Sequence, residues 1–194
     1  MESKKLKAKD LINVGIYTAI YIVIFFAVGM LNAIPVLYPL LYILIPLISG
    51  IPFMLFLTKV DKFGMVTIMS VICGVFWFLM GYTLTALVGY VIFGVISDFV
   101  LRTGKYKNFK IDVIGYWLFS CGMIGCQAPM WVMADTYMAG IEQSMGAQYA
   151  SELAHYMPSW MGIAAIAIIF VGALLGSLLG HKMLKKHFER AGIV

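Results

Sequence analysis

The chain is short of charge. Only 12% of its 194 residues are Asp, Glu, Lys or Arg, about half the share of an ordinary soluble domain. With 62% hydrophobic residues and a mean hydropathy of +0.95, it has too little polar surface to fold as a water-facing globule. Cysteine is scarce as well. Cys73, Cys121 and Cys126 all fall inside apolar runs, which argues against an extracellular disulfide framework and leaves them as small buried hydrophobes. There is no G-x-x-x-x-G-K-[ST] loop to cradle nucleotide phosphates. No H-x-x-x-H or C-x-x-C spacing occurs either, so no metal and no cofactor is expected.

What is present is a series of long apolar runs separated by short basic tracts. All fourteen Lys and Arg lie in four such tracts: Lys4 to Lys9, Lys59 to Lys62, Arg102 to Lys110 and Lys182 to Arg190. Basic residues that flank hydrophobic spans stay on the cytoplasmic side of a bilayer. One arrangement puts all four tracts there: an all-α, polytopic bundle of six transmembrane helices with both termini cytoplasmic. About 20 apolar residues are needed to cross roughly 30 Å of hydrocarbon, so six spans consume most of the chain and leave no room for a soluble catalytic domain. The net charge of +5 is juxtamembrane and dispersed, which favours anionic lipid headgroups over nucleic acid as its partner. The apolar run from Leu11 to Leu31 is too long for a signal-peptide core, and no A-x-A-like cleavage site precedes Pro35.

The spans are expected over about 10–31, 38–57, 63–80, 84–100, 111–133 and 159–179, all within one membrane domain covering 1–194. Asp10 is a candidate N-cap of the first helix. The second is punctuated by Pro35, Pro39, Pro46 and Pro52, so its freed carbonyls need neighbouring protein. Lys59, Asp61 and Lys62 form a tight inner turn, and Gly81, Tyr82 and Thr83 a short outer one. The stretch 134–158 contains Asp135, Glu142, Glu152 and His155 but no Lys or Arg. Its length and its aromatic and methionine content predict a partly helical external lid.

Two small-residue patterns concern helix packing. Gly172, Gly176 and Gly180 repeat at intervals of four and form a groove along the last helix, read first as internal packing of the bundle and second as a partner-docking surface. Gly15 and Ala19 make a shorter pair of the same kind on the first helix. Asp98 and Arg102, spaced i, i+4, predict an intrahelical ion pair, with a proton-relay role for Asp98 as the alternative.

The basic N-terminus running into Asp-Leu-Ile-Asn-Val-Gly-Ile-Tyr-Thr-Ala-Ile-Tyr over Asp10 to Tyr21, six spans in under 200 residues, and the closing Lys-Lys-His-Phe-Glu-Arg-Ala-Gly over Lys185 to Gly192 together carry a resemblance. The chain resembles the substrate-binding S components of energy-coupling factor (ECF) transporters, and within them the Trep_Strep group. The resemblance implies a six-helix protein that captures a vitamin or related micronutrient on its external face. It also implies delivery together with a T subunit and two ATPase subunits, with no hydrolysis by the chain itself. The family docks its T subunit through an Ala-xxx-Ala pair on the first helix, and the matching positions here are Gly15 and Ala19.

A ligand site in such a scaffold belongs in the outer half of the bundle, where polar side chains gather beneath a lid. Asn32, Tyr38, Trp77, Tyr82, Gln127, Trp131, Asp135, Tyr137, His155 and Trp160 are the candidates. Gln127, an amide inside a hydrophobic span, pairs with another helix or with a ligand. Trp131 and Asp135 continue its face at successive i+4 steps, with Pro129 able to disturb that register. For Trp131, Trp160, Tyr82 and Tyr137, anchoring at the membrane interface competes with ligand contact. Because nothing basic faces outward, a neutral or cationic small molecule is expected, with Asp135, Glu142 or Glu152 as the counter-ion of a cation. A self-sufficient secondary transporter is the alternative function, and an intramembrane enzyme a more distant one. The spans lack the mid-depth carboxylates or nucleophile–base pairs that either would need.

Overall fold

The computed structural model describes residues 5–184, so Lys4 and the terminal segment that begins at Lys185 lie outside the described residues. Among the described residues there are ten α-helices and no strand. Six helices build the bundle: α1 (Ala8–Gly29), α2 (Leu41–Leu57), α3 (Met65–Leu79), α4 (Leu84–Thr103), α5 (Phe109–Cys121) and α10 (Met161–Met183). They pack as a closed ring in the order α1, α2, α10, α5, α4, α3 and back to α1. Four shorter helices complete the fold: α6 (Ile124–Gln127), α7 (Pro129–Val132), α8 (Ala134–Met145) and α9 (Ala147–Tyr156).

Among the described residues five segments are long and apolar enough to cross a membrane: Ala8–Ala33, Pro35–Leu57, Leu84–Thr103, Phe109–Gln127 and Met161–Met183. The third helix has only 15 residues, or about 22 Å at 1.5 Å per residue, yet it runs between the same two ends of the ring. The lipid-facing side is a band of exposed Ile, Val, Leu and Phe, for example Ile12, Ile16 and Val23 on α1 and Ile163, Phe170 and Leu175 on α10. The interior is aromatic. Tyr21, Tyr42, Tyr90, Tyr116, Phe53 and Phe119 are all buried, with Tyr21 edge-on to Phe119 at 5.2 Å and Phe53 against Tyr116 at 4.6 Å.

The glycine run of α10 is spent on packing inside the ring. A Cβ at Gly172 would stand 2.6 Å from the Ile43 carbonyl oxygen, and one at Gly176 would meet the Pro46 carbonyl and stand 2.7 Å from that of Leu47. Gly50 of α2 faces Gly176 so closely that a Cβ there would lie 2.5 Å from its carbonyl carbon. The two backbones therefore touch, and Gly172, Gly176 and Gly180 are buried and unavailable to an outside partner. A side chain ties the same helix to α5, since the Tyr116 hydroxyl donates to the Pro46 carbonyl at 2.6 Å.

The described basic residues gather at one end of the ring. There Lys62, between α2 and α3, pairs with Asp10 of α1 at 2.5 Å. Asp10 also accepts from the Lys7 backbone N–H at 2.7 Å. It is thus not the N-cap of α1 but an N3 residue reaching back to Lys7, which caps the helix. Asp98 departs from expectation too. Its fully buried carboxylate accepts from the backbone N–H groups of Gly64 and Thr67, both at 2.9 Å, from the Thr67 hydroxyl at 2.9 Å and from the Tyr106 hydroxyl at 2.8 Å. It caps α3 from a different helix, where the helix dipole favours a negative charge. Arg102 makes no ion pair with it and lies instead over the Phe63 ring, 5.5 Å from its centroid.

The opposite end carries a helical hairpin. The stretch 134–158, expected as a partly helical lid, is two helices, α8 and α9, joined at Gly146, whose φ of +91° suits a residue without a Cβ. The segment expected as one span over 111–133 is three pieces. The chain turns at Gly122 and Met123 after α5, and Pro129 begins α7 anew. Two 3-10 turns, Met30–Ala33 and Pro35–Leu40, lead from α1 into α2, and α9 packs on the second of them.

Candidate functional site

Beneath the hairpin a cavity of about 300 Å³ opens into the bundle, and a cleft of about 220 Å³ adjoins it between the ends of α1 and α3. The larger is bounded by four tyrosines brought from four separate segments. These are Tyr38 from the turn before α2, Tyr82 from the α3–α4 turn, Tyr137 from α8 and Tyr149 from α9. Cys126 and Pro129 form its wall on the broken fifth segment, and Ile141, Met145 and Leu153 close it from the hairpin. The smaller cavity adds Phe25, Gly29 and Trp77 with the exposed Phe26 and Met30, and shares Asn32, Met80 and Tyr82 with the larger. Phe25 and Trp77 lie 4.4 Å apart, and Tyr82 meets Trp77 edge-on at 5.6 Å.

The hairpin is fastened at both sides of this space. Tyr149 donates its hydroxyl to the Asn32 carbonyl at 2.5 Å, and the Trp131 indole N–H donates to the Met157 carbonyl at 3.3 Å. Helical spacing presents the hairpin's apolar face inward. Tyr137, Ile141 and Met145 follow one another at i+4, as do Tyr149 and Leu153.

The walls hold no Asp, Glu, Lys, Arg or His. Burial pushes the Tyr82 phenol up to about 12 and raises those of Tyr137 and Tyr149, so all three stay neutral hydrogen-bonding groups at physiological pH. Three buried polar atoms in or next to this region have no hydrogen-bond partner: the Tyr42 hydroxyl, the Trp77 indole N–H and the Gln127 side-chain oxygen. Leaving such groups unmatched costs about 1–3 kcal/mol each.

Five of the ten residues expected from sequence line the cavities: Asn32, Tyr38, Trp77, Tyr82 and Tyr137. The other five do not. Gln127 is buried beside Cys126 without being part of the wall. Trp131 packs against Gly162 of α10 and secures the hairpin. The i+4 step from Gln127 to Trp131 passes through Ala128 in helical conformation, whereas the step on to Asp135 is lost at Met133, out of helical conformation at φ −132°. Asp135 is exposed and shares with Glu142 a groove of about 460 Å³ on the other side of the hairpin. His155 and Trp160 are exposed as well, His155 resting against its neighbour Tyr156 at 5.1 Å. The sequence reading passed over Tyr149, Cys126, Met80 and the hairpin aliphatics. The i+4 spacing within 137–153 was the signal that could have found Tyr149 and the aliphatics, and no such spacing marks Cys126 or Met80.

Among the described residues no cluster of His, Cys, Asp or Glu is placed to hold a metal ion. On the outside of α1, Gly15 and Ala19 lie on an exposed face, and a Cβ added at Gly15 would meet nothing within 4 Å.

A family model described as a hypothetical bacterial integral membrane protein, Trep_Strep, matches residues 8–190. The chain belongs to the Trep_Strep family. No curated protein and no solved structure matches it. With five helices of membrane-crossing length, this Trep_Strep chain is an integral, multi-pass membrane protein.

Proposed function

We propose that this chain is the substrate-capture subunit of an ATP-driven importer of the ECF type, holding a small micronutrient, a vitamin or a precursor of one, beneath the α8–α9 hairpin. In this reading it sits in the cell membrane with six spans, α3 being the shortest, and with both termini cytoplasmic. The observation that carries the proposal is a charge-free, tyrosine-lined cavity under a helical cover, at the end opposite the basic tracts. Positive residues hold the other end on the cytoplasmic side, so the cover faces the exterior, where solute arrives.

The captured molecule is neutral rather than cationic, because the acids proposed as counter-ions stand exposed on the hairpin and none of them lines the cavity. The chain performs no chemistry of its own. A T subunit and two ATPase subunits supply the energy, and the open Gly15–Ala19 face of α1 is where the T subunit packs. A secondary transporter has less support. The buried acids Asp10, Asp98 and Asp112 sit near the basic end of their helices, and not at mid-depth where coupling ions bind.

Native mass spectrometry of the purified full chain tests the proposal. A retained small molecule should be seen on the wild type and on Asp135→Asn and Trp160→Phe, and lost from Tyr82→Ala and Tyr137→Ala. Equal retention by all variants, or none by any, contradicts it.

A further inference from the structure

Resting on the capture reading, we infer that the ligand is an uncharged, flat-ringed molecule whose carbonyl-type acceptor is met by the Trp77 indole N–H and whose ring lies among Tyr38, Tyr137 and Tyr149, next to the Tyr42 hydroxyl. Three observations lead there. First, the two cavities adjoin at Asn32, Met80 and Tyr82, and together they make a region in which no wall residue can offset a charge. An ion moved into it would lose its hydration without a counter-ion.

Second, three rings in the wall of the larger cavity are not paired with another ring. Trp77 and Tyr82 are paired with each other, whereas Tyr38, Tyr137 and Tyr149 have no ring partner among the described residues. Aromatic rings that line a cavity without pairing with one another suit stacking against another flat ring.

Third, the unmatched polar atoms decide between a neutral ring and the other occupant that an aromatic box accepts, a quaternary ammonium ion. Trp77 is 3% exposed and stands in the wall of the smaller cavity, yet its N–H has no acceptor. Tyr42, 1% exposed, lies close to Cys126, Tyr137 and Tyr38 of the larger cavity, and its hydroxyl has no partner. An indole N–H can only donate. A quaternary ammonium offers it nothing to bond, while an amide or ring carbonyl satisfies it.

The test uses the full chain in detergent and two matched triplets of ring compounds that differ in charge: nicotinamide, nicotinate and 1-methylnicotinamide, and benzamide, benzoate and benzamidine. Thermal unfolding and tryptophan fluorescence are followed in titrations. The neutral member of each triplet should raise the unfolding temperature most. Trp77→Phe and Tyr42→Phe, which keep the ring and delete the polar hydrogen, should each weaken its binding about fivefold. Asp135→Asn should leave it unchanged.

Stabilisation by the charged members above the neutral ones, or by no neutral member, overturns the assignment. Native mass spectrometry of the wild type separates this failure from that of the capture reading. A retained charged or acyclic molecule sinks the ligand class and leaves capture standing. An empty protein that no probe stabilises removes both.

Discussion

Replacing Gly176 with alanine sets two effects against each other. Alanine is the better helix former by about 1 kcal/mol in a helix interior, which favours the variant. The new Cβ, however, would press on the Pro46 carbonyl and stand 2.7 Å from the Leu47 carbonyl oxygen and 3.1 Å from the Leu47 Cα. All three are backbone atoms of α2, which cannot swing aside as a side chain can. The helices must separate, and overpacking of this kind costs about 1–3 kcal/mol. Because backbone meets backbone, the upper part of that range applies, and the net loss is about 1–2 kcal/mol after the propensity gain is subtracted. Gly15→Ala is the matched control. It brings the same gain in propensity, with nothing within 4 Å of the new atom, so it should be neutral or stabilising. Unfolding of both variants in the same detergent, by heat or by SDS titration, measures the difference. Equal shifts, or a stabilised Gly176→Ala, would show that α2 and α10 do not touch through their backbones.

Three further outcomes follow from other parts of the fold. Asp98→Ala strands two backbone N–H groups and two hydroxyls that the carboxylate now satisfies; it should destabilise the chain by about 3 kcal/mol or more. Arg102→Ala should change little by comparison, and similar losses for the two would restore the expected ion pair. Gly15→Leu with Ala19→Leu should leave folding and ligand retention intact while abolishing co-purification with a T subunit, so an unchanged complex removes α1 as the docking face. The Tyr82 phenol, held at about 12 by burial, ionises near 10 in the unfolded chain. Its contribution to stability is therefore full below pH 10 and is lost as pH rises from 10 through about 12. Tyr82→Phe should flatten part of that decline in a pH series of unfolding curves, and an unaltered decline contradicts burial of the phenol.

The parts of the account that were legible in sequence are those set by composition and local spacing. The positions of Lys62, Arg102 and Lys182 foretold which helix ends gather together, and the Gly172–Gly176–Gly180 interval foretold a close helix approach. Residues at span ends, such as Tyr38, Tyr82 and Trp77, were found because position along a span follows from hydropathy alone. The misreadings arose where geometry depends on a break in the chain or on a distant partner. Trp131 was assigned to the cavity on a helical register that ends at Met133, and its ring packs instead on Gly162 of α10 with its N–H on the Met157 carbonyl. Asp98 was paired with its nearest cation in sequence, although its partners come from the start of α3 and from Tyr106. Tyr149 was missed because a stretch read as a lid of mixed structure gives no face to assign. Once α9 is seen as a helix, its i+4 companion Leu153 points to the same space.

The most direct test of the central claim is an experimental density map of the full chain purified with its retained solute. The account predicts density enclosed by Tyr38, Tyr82, Tyr137 and Tyr149, with one polar atom within hydrogen-bond distance of the Trp77 N–H. A solute resolved in the groove beside Asp135 and Glu142, with the tyrosine-lined cavity empty, would contradict it.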